Sequence, residues 1–376
     1  MKTKSIIAYL FALMLLLFQS CNKNYLDIQT LADFEAYIED EMEYEHIPAL
    51  SILIFKEDSI LYENYFGKSN VEQNIPLLNN HVFLLASVSK VVTATALLQL
   101  YEEGLFALED NINDFLDFEV NVPGHAEPIT FKMLLTHTSG IEDGSAMDSQ
   151  YYYGEDSPTS LDYFLENYLV PGGIYYSASE NFYNFKPGTK HAYSNMGNAL
   201  IAVLVEQISG QDFNTYCKEN IFIPLEMSNT FWRLDEIEQT IVQPYDYVGG
   251  QNEAIEHYTF TDYPNGGLRS TVGDYFKLAS ALLQGGTFNN YALLEPSTTA
   301  QMITPQIPDI DDEVGLHMFL MNNQYQLWGH DGGEQGVATI FGFNAETKVG
   351  ALIFTNQGET DLDEILEEAY KLGLNL

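Results

Sequence analysis

The apolar positions change rhythm along the chain. Leu31, Phe34, Ile38 and Met42 recur at the three-to-four-residue spacing of a helix with one buried face. Residues 49–55 and 60–66 are instead dense in branched and aromatic side chains. They flank the polar Lys56-Glu57-Asp58-Ser59, which predicts a β-hairpin. The next two hundred or so residues read as mainly helical. Ser87 to Glu103 reads as one helix closed by Gly104, and Thr130 caps a short helix through Leu135. Gly197 to Ser209 is closed by Gly210, and Thr271-Val-Gly-Asp274 opens a helix that reaches Leu283. Short strands return over 314–321, 325–328, 337–343 and 349–355, with turn residues at Asn322-Asn323 and Ala345-Glu346. A last helix is expected from about Leu362 to Leu372. Strands at both ends with helices between predict an α+β fold: an antiparallel β-sheet built from both termini, flanked by helices, with a mainly helical inserted domain. The sheet subdomain is expected at about 31–86 and 284–376 and the helical one at about 87–283.

The N-terminus has a different character. Lys2 and Lys4 precede an apolar run from Ile6 to Phe18 that ends in Gln19-Ser20-Cys21, the pattern of a signal peptide. The run is too short and wrongly flanked for a membrane-spanning helix. Phe18-Gln19-Ser20-Cys21 resembles a bacterial lipobox, whose cysteine is lipidated and becomes the new N-terminus; an ordinary signal peptide with a chance cysteine is the other reading. Residues 1–20 are thus expected to be a lipoprotein signal peptide and 21–30 a tether. The protein is expected to be lipid-anchored through Cys21 in the bacterial cell envelope, facing the periplasm or the exterior.

Composition narrows the partners. Fifteen Lys and Arg face 54 Asp and Glu, a net charge of −39. Such a field repels a phosphate backbone, so no nucleic-acid partner is expected. The other cysteine, Cys217, sits among Phe213, Tyr216 and Ile221 and reads as an inert buried thiol. With Cys21 lipidated it has no disulfide partner. The histidines are scattered without zinc-like spacing, so neither a metal nor a cofactor is expected.

Candidate chemistry gathers in Ser87-Val-Ser-Lys90, Tyr193-Ser-Asn195 and His330-Asp331-Gly332. A serine opening a helix lies where N–H groups are unpaired and the local field is positive, so its own N–H can hold an oxyanion. Lys90 falls one turn later on the same face and can take the serine proton if burial lowers its pKa. A phenol beside an ammonium, as with Tyr193 near Lys90, can serve as a base. Asn195 can hydrogen-bond Lys90 and a substrate amide. The glycines from Gly332 to Gly336 let backbone approach a ligand closely, and an N–H near Gly333 can complete an oxyanion hole. Each stretch alone also has an ordinary reading: a helix cap with a surface lysine, a capping Ser/Asn beside a half-buried tyrosine, a glycine-rich hairpin turn.

Together, in this order, the three stretches resemble the serine β-lactamase-related family, near class C β-lactamases, esterases of that fold and D-amino-acid-specific peptidases. Ser87-x-x-Lys90 matches the nucleophile motif, Tyr193-x-Asn195 the second, and His330-Asp331-Gly332 takes the place of a Lys-Thr-Gly strand motif. Leu134-Leu-Thr-His-Thr-Ser-Gly140, Pro187-Gly-Thr189, Pro224-Leu-Glu-Met227 and Gly266-Gly-Leu-Arg-Ser-Thr-Val-Gly-Asp274 match as flanks. The resemblance implies a β-lactamase/transpeptidase-like fold over 31–376. It also implies an acyl-enzyme on Ser87, proton transfer through Tyr193 and Lys90, and an oxyanion hole from the Ser87 and Gly333 N–H groups. Asn195, His330 and Gly332 fall among the substrate-binding positions. His137 has the look of a base, but the family pattern and its helix-end setting make it structural.

The third motif departs from the pattern. A lysine there helps hold a carboxylate, whereas His330 is at most partly charged near neutrality and Asp331 adds negative charge. The reading is therefore an esterase or an amidase- or peptidase-type hydrolase acting on a small ester, amide or peptide. The alternatives are a β-lactamase or a non-turnover penicillin-binding, sensing or scaffold lipoprotein. A second departure is the aromatic stretch Tyr151-Tyr-Tyr153, Tyr175-Tyr176, Phe182, Tyr183 and Phe185, which suits either an apolar substrate wall or packing over the helices.

Overall fold

The computed structural model describes residues 28–358 and 360–376; the expected signal peptide and Cys21 lie outside them. Its centre is a seven-stranded sheet that joins the two ends of the chain. The strands are β1 (Ala49–Lys56), β2 (Ser59–Asn70), β3 (Ile75–Pro76), β4 (Phe319–Asn322), β5 (Leu327–Glu334), β6 (Val337–Asn344) and β7 (Val349–Thr355), in the spatial order β4-β5-β6-β7-β1-β2-β3. Every pairing is antiparallel, and Ile52 opposite Ile353 marks where the N-terminal hairpin meets the C-terminal strands.

β1 is apolar along nearly its whole length because both of its faces are covered. Leu50, Ile52 and Ile54 point to one face and pack with the terminal helices α1 (Leu31–Tyr44) and, later in the chain, residues 363–373. Ala49, Leu53 and Phe55 point to the other and join the main core. Alternate side chains of a strand project to opposite faces, and each fully buried aliphatic contributes roughly 1.5–3 kcal/mol. Thr30 caps α1 in a capping box with Asp33.

The helical region lies on the main-core side. It contains α2 (Ser89–Glu102), α3 (Phe131–Leu135), α4 (Leu161–Leu169), α5 (Asn195–Ser209), α6 (Phe213–Cys217) and α7 (Val272–Leu283). The C-terminal part adds α8 (Pro296–Met302) and α9 (Asp363–Gly373). α2 is buried on almost every side, as a central helix must be when it is apolar all round. α5 starts where the Ser194 hydroxyl accepts from the Gly197 N–H at 2.8 Å and stops at Gly210, whose φ is +71°.

The structure revises two local expectations. The strand expected over 314–321 is confined to 319–322, because Gly315 N–H bonds the Met318 carbonyl at 2.8 Å and His317 takes φ +51°. The strand expected over 325–328 runs on to Glu334, so His330-Asp331-Gly332 lies inside β5 and not in a turn. The hairpin comes after it, at Gly336, with φ +67°. Glycine-rich composition reads as a turn, but here β6 supplies partners residue by residue: Gly332 faces Thr339 and Gly333 faces Ala338.

Candidate active site

Ser87 sits in a tight 3-10 turn, Ala86–Val88, that leads into α2 and does not itself belong to the α-helix. Ala86 has φ +47°, a left-handed conformation that a Cβ-bearing residue adopts at a cost. Surrounding bonds hold the turn. Leu85 N–H donates to the Leu268 carbonyl at 2.8 Å, and the Thr339 hydroxyl donates to the Leu85 carbonyl at 2.7 Å. The result is a partly exposed Ser87 on an otherwise buried bend.

Lys90 lies one turn along and is fully buried. Its Nζ donates to Ser87 Oγ at 2.9 Å and to the Asn265 carbonyl at 2.6 Å. Burial pulls its pKa down to about 7, against the opposing fields of Asp143, Asp262, Glu334 and Asp331. The Asn265 carbonyl is presented by the short turn Tyr263–Asn265. Thr93 of α2 and Asn198 of α5 clamp that turn by donating to the Pro264 carbonyl at 2.8 and 3.0 Å.

Tyr193 comes from the segment just before α5. Lys90 Nζ stands 5.0 Å from its ring centroid, and the His137 ring stacks on it at 4.4 Å. The residue is half-buried, but its hydroxyl is enclosed and has no hydrogen-bond partner of full geometry among the described residues. Burial holds the phenol well above its ordinary value, with the nearby Ser87 hydroxyl opposing. Between the two proton carriers, Lys90 is therefore the one poised to be neutral near pH 7, while the phenol keeps its proton.

Asn195 lines the same cleft as Ser87, and its backbone N–H donates to Asp143 Oδ2 at 2.9 Å. Asp143 also accepts from Met196 N–H at 2.9 Å and from the Ser194 hydroxyl at 3.3 Å, so one carboxylate anchors the start of α5. Gly332 packs directly behind Ser87. A Cβ there would meet Thr339 Oγ1 at 2.5 Å, the Leu85 oxygen at 2.7 Å and the Ser87 nitrogen at 2.9 Å. Gly333 faces the cleft, with open space where its Cβ would be.

His330 is placed differently. It is buried behind Tyr193, with its ring 6.2 Å from that of Tyr193 and 5.1 Å from that of Phe319. Its Nδ1 donates to the Asp331 carbonyl at 2.5 Å, and burial lowers its pKa to about 4. The imidazole is neutral near pH 7 and does not line the cleft. His137 is also buried and neutral; its Nδ1 accepts the Ser194 N–H at 3.1 Å, so it supports the Tyr193-Ser194 backbone.

The aromatic stretch divides. Tyr151 lines the cleft beside Met147 and Phe260, while Tyr175 packs edge-on against Phe164 and Tyr183 stacks on Phe185, elsewhere. Sequence reasoning missed Asp143, Asp262, Asn265 and Glu334. The only sequence cue was proximity: Asp262 and Asn265 precede Gly266-Gly267, and Glu334 follows Gly333. The thiol of Cys217 is buried and raised by desolvation.

The Beta-lactamase family model matches residues 34–374. The chain belongs to the Beta-lactamase family. Relatives of this Beta-lactamase-family chain include Protein flp of Staphylococcus aureus (strain NCTC 8325 / PS 47), 27% identical over 341 residues, covering 89% of this chain and 64% of the relative. Penicillin-binding protein 4* of Bacillus subtilis (strain 168) is 27% identical over 307 residues, covering 77% and 64%. The chain thus spans slightly under two thirds of these curated relatives. The octameric penicillin-binding protein homologue from Pyrococcus abyssi shares the fold, with a TM-score of 0.74, 23% identity, and 92% of this chain and 77% of that one covered. The family is one of penicillin-binding-protein-like serine hydrolases, and its β-lactamase/transpeptidase fold is the one the two-ended sheet predicts.

Proposed function

We propose that this protein hydrolyses an ester or amide through an acyl-enzyme on Ser87. The observation that carries this reading is the buried Lys90 amine, 2.9 Å from Ser87 Oγ with its pKa brought to about 7. In the neutral state it accepts the Ser87 proton as Oγ attacks the carbonyl carbon. The oxyanion forms against the N–H groups of Ser87 and Gly333. The proton held by Lys90 then passes to the leaving alcohol or amine, with the Tyr193 hydroxyl as the relay. Water attacks the ester in turn, gives its proton back along the same path, and releases the acid and Ser87. Neutral, buried His330 offers no cation for a substrate carboxylate, which favours esters and amides without a nearby carboxylate over β-lactams. The sequence pattern ending at Cys21 supports a lipid-anchored envelope protein as part of the same proposal.

The test is a panel of short-chain esters, D-Ala-terminated peptides and β-lactams, run on wild type and Ser87→Ala, beside a time-chased activated ester whose acyl group labels Ser87. Ser87-dependent turnover of an ester, amide or peptide is expected. Fast β-lactam turnover without ester hydrolysis overturns the substrate class, and a label that never leaves Ser87 replaces turnover with sensing. Mass spectrometry of the mature N-terminus checks the anchor; a start other than lipidated Cys21 removes it.

A further inference from the structure

The cleft beside Ser87 has an acidic end that the hydrolytic reading does not use. Asp262 is 2% exposed, yet it lines the cleft together with Ser87, Asn195 and Glu334. Its Oδ2 accepts from Asn265 Nδ2 at 2.5 Å, while Oδ1 has no partner among the described residues. A buried carboxylate oxygen without a donor is costly, and such an orphan in a cleft points to a donor that arrives with a ligand. Glu334 lines the same cleft and accepts the Tyr151 hydroxyl at 3.1 and 3.0 Å on its two oxygens. Burial pushes Asp262 up to about 7, with Asp143 and then Glu334 adding repulsion, and burial raises Glu334 as well, against the field of Lys90.

Lys90 does not fill this acidic end. Its Nζ contacts are Ser87 Oγ and the Asn265 carbonyl, and neither is a carboxylate. Among the described residues that line the cleft none is basic; Lys90 acts on both carboxyl groups through its field but bonds neither. Two carboxyl groups that cannot comfortably ionise alone form a site for a compact cation carrying N–H donors.

We propose that Asp262 and Glu334 form a cation subsite, so that the preferred substrate is an ester or amide bearing a free amine close to the scissile carbonyl. This rests on the acyl-enzyme reading and names its substrate class. A bound ammonium supplies the donor missing at Asp262 Oδ1 and lets the paired carboxyl groups share one positive charge. An acylated amine lacks the charge and adds bulk in the same place.

The probes are ethyl β-alaninate, cationic at neutral pH, and ethyl N-acetyl-β-alaninate, its neutral counterpart. Release of acid is followed with wild type, Asp262→Asn and Glu334→Gln. The expected kcat/KM ratio, free amine over acetylated, is at least tenfold in wild type and carried by KM. Each substitution is expected to lower that ratio about tenfold. If the carboxylates serve only to tune Lys90, both substrates change together and the ratio stays put, which overturns the subsite. Glu334→Gln keeps the experiment decisive should Asp262→Asn fail to fold. Binding of the two esters to Ser87→Ala by calorimetry reads the subsite without turnover. Tighter binding of the amine supports it even if no ester is hydrolysed and the acyl-enzyme reading falls, and equal binding overturns it even if both esters are turned over.

Discussion

Lys90 Nζ lies 2.9 Å from Ser87 Oγ, and its other hydrogen bond goes to the carbonyl of Asn265. The amine is therefore held at the hydroxyl from two sides and kept from water. Its pKa of about 7 means that the neutral, proton-accepting form grows as pH rises through that value. For a neutral ester, kcat/KM is expected to climb through about pH 7 and then level. Lys90→Ala should lose roughly 100- to 10,000-fold in kcat, the usual contribution of a positioned base. Lys90→Arg should be no better, since a guanidinium keeps its proton. A flat profile from pH 5 to 9 would remove Lys90 as the base.

Gly332 and Gly333 are neighbours with opposite tolerance. A Cβ on Gly332 collides with Thr339, Leu85 and the Ser87 nitrogen, all fixed by the bend or the sheet. Gly332→Ala is expected to cost roughly 1–3 kcal/mol, as overpacking does, and to displace Ser87. Gly333→Ala meets nothing within 4 Å, so its thermal midpoint should match wild type. Equal midpoints for the two variants would contradict this packing.

Asp143 binds the start of α5 through the N–H groups of Asn195 and Met196. Asp143→Ala is expected to destabilise by about 1–2 kcal/mol, the scale of a lost helix cap. It should also reduce activity, because Asn195 and Tyr193 lose their anchor. Urea unfolding and ester turnover on the same preparation check both effects.

His317 is fully buried, neither ring nitrogen has a hydrogen-bond partner among the described residues, and its pKa lies well below the ordinary value through desolvation, with His330 and Lys90 adding repulsion. His137 faces it edge-on at 4.6 Å. The unfolded chain binds a proton near pH 6.5 that the folded chain refuses, so this histidine makes stability fall as pH drops below that value. His317→Phe removes the penalty. Relative to wild type, the variant should gain up to about 2 kcal/mol between pH 7 and pH 5. A stability difference independent of pH would show that His317 does not titrate in this way.

Much of the frame was legible in the chain. The apolar runs at 49–55 and 349–355 predict strands, and the two strands pair with each other. Caps at Thr130 and Thr271 lie where hydroxyls precede apolar helices, because capping is a local bond within one turn. Ser87-x-x-Lys90 was legible for the same reason: helical spacing alone brings the two side chains together.

Charge states and distant contacts were not. Whether His330 binds a substrate depends on which side of β5 it faces, and pairing with β6 turns it behind Tyr193. The drop in Lys90 pKa comes from burial between α2 and the turn at 263–265, segments about 170 residues apart. Asp262 and Glu334 line one cleft only because the sheet and the helical region close against one another. Local sequence, through propensity and spacing, determined the elements and the reacting pair. Tertiary packing decided desolvation and juxtaposition, and with them which groups carry charge beside Ser87.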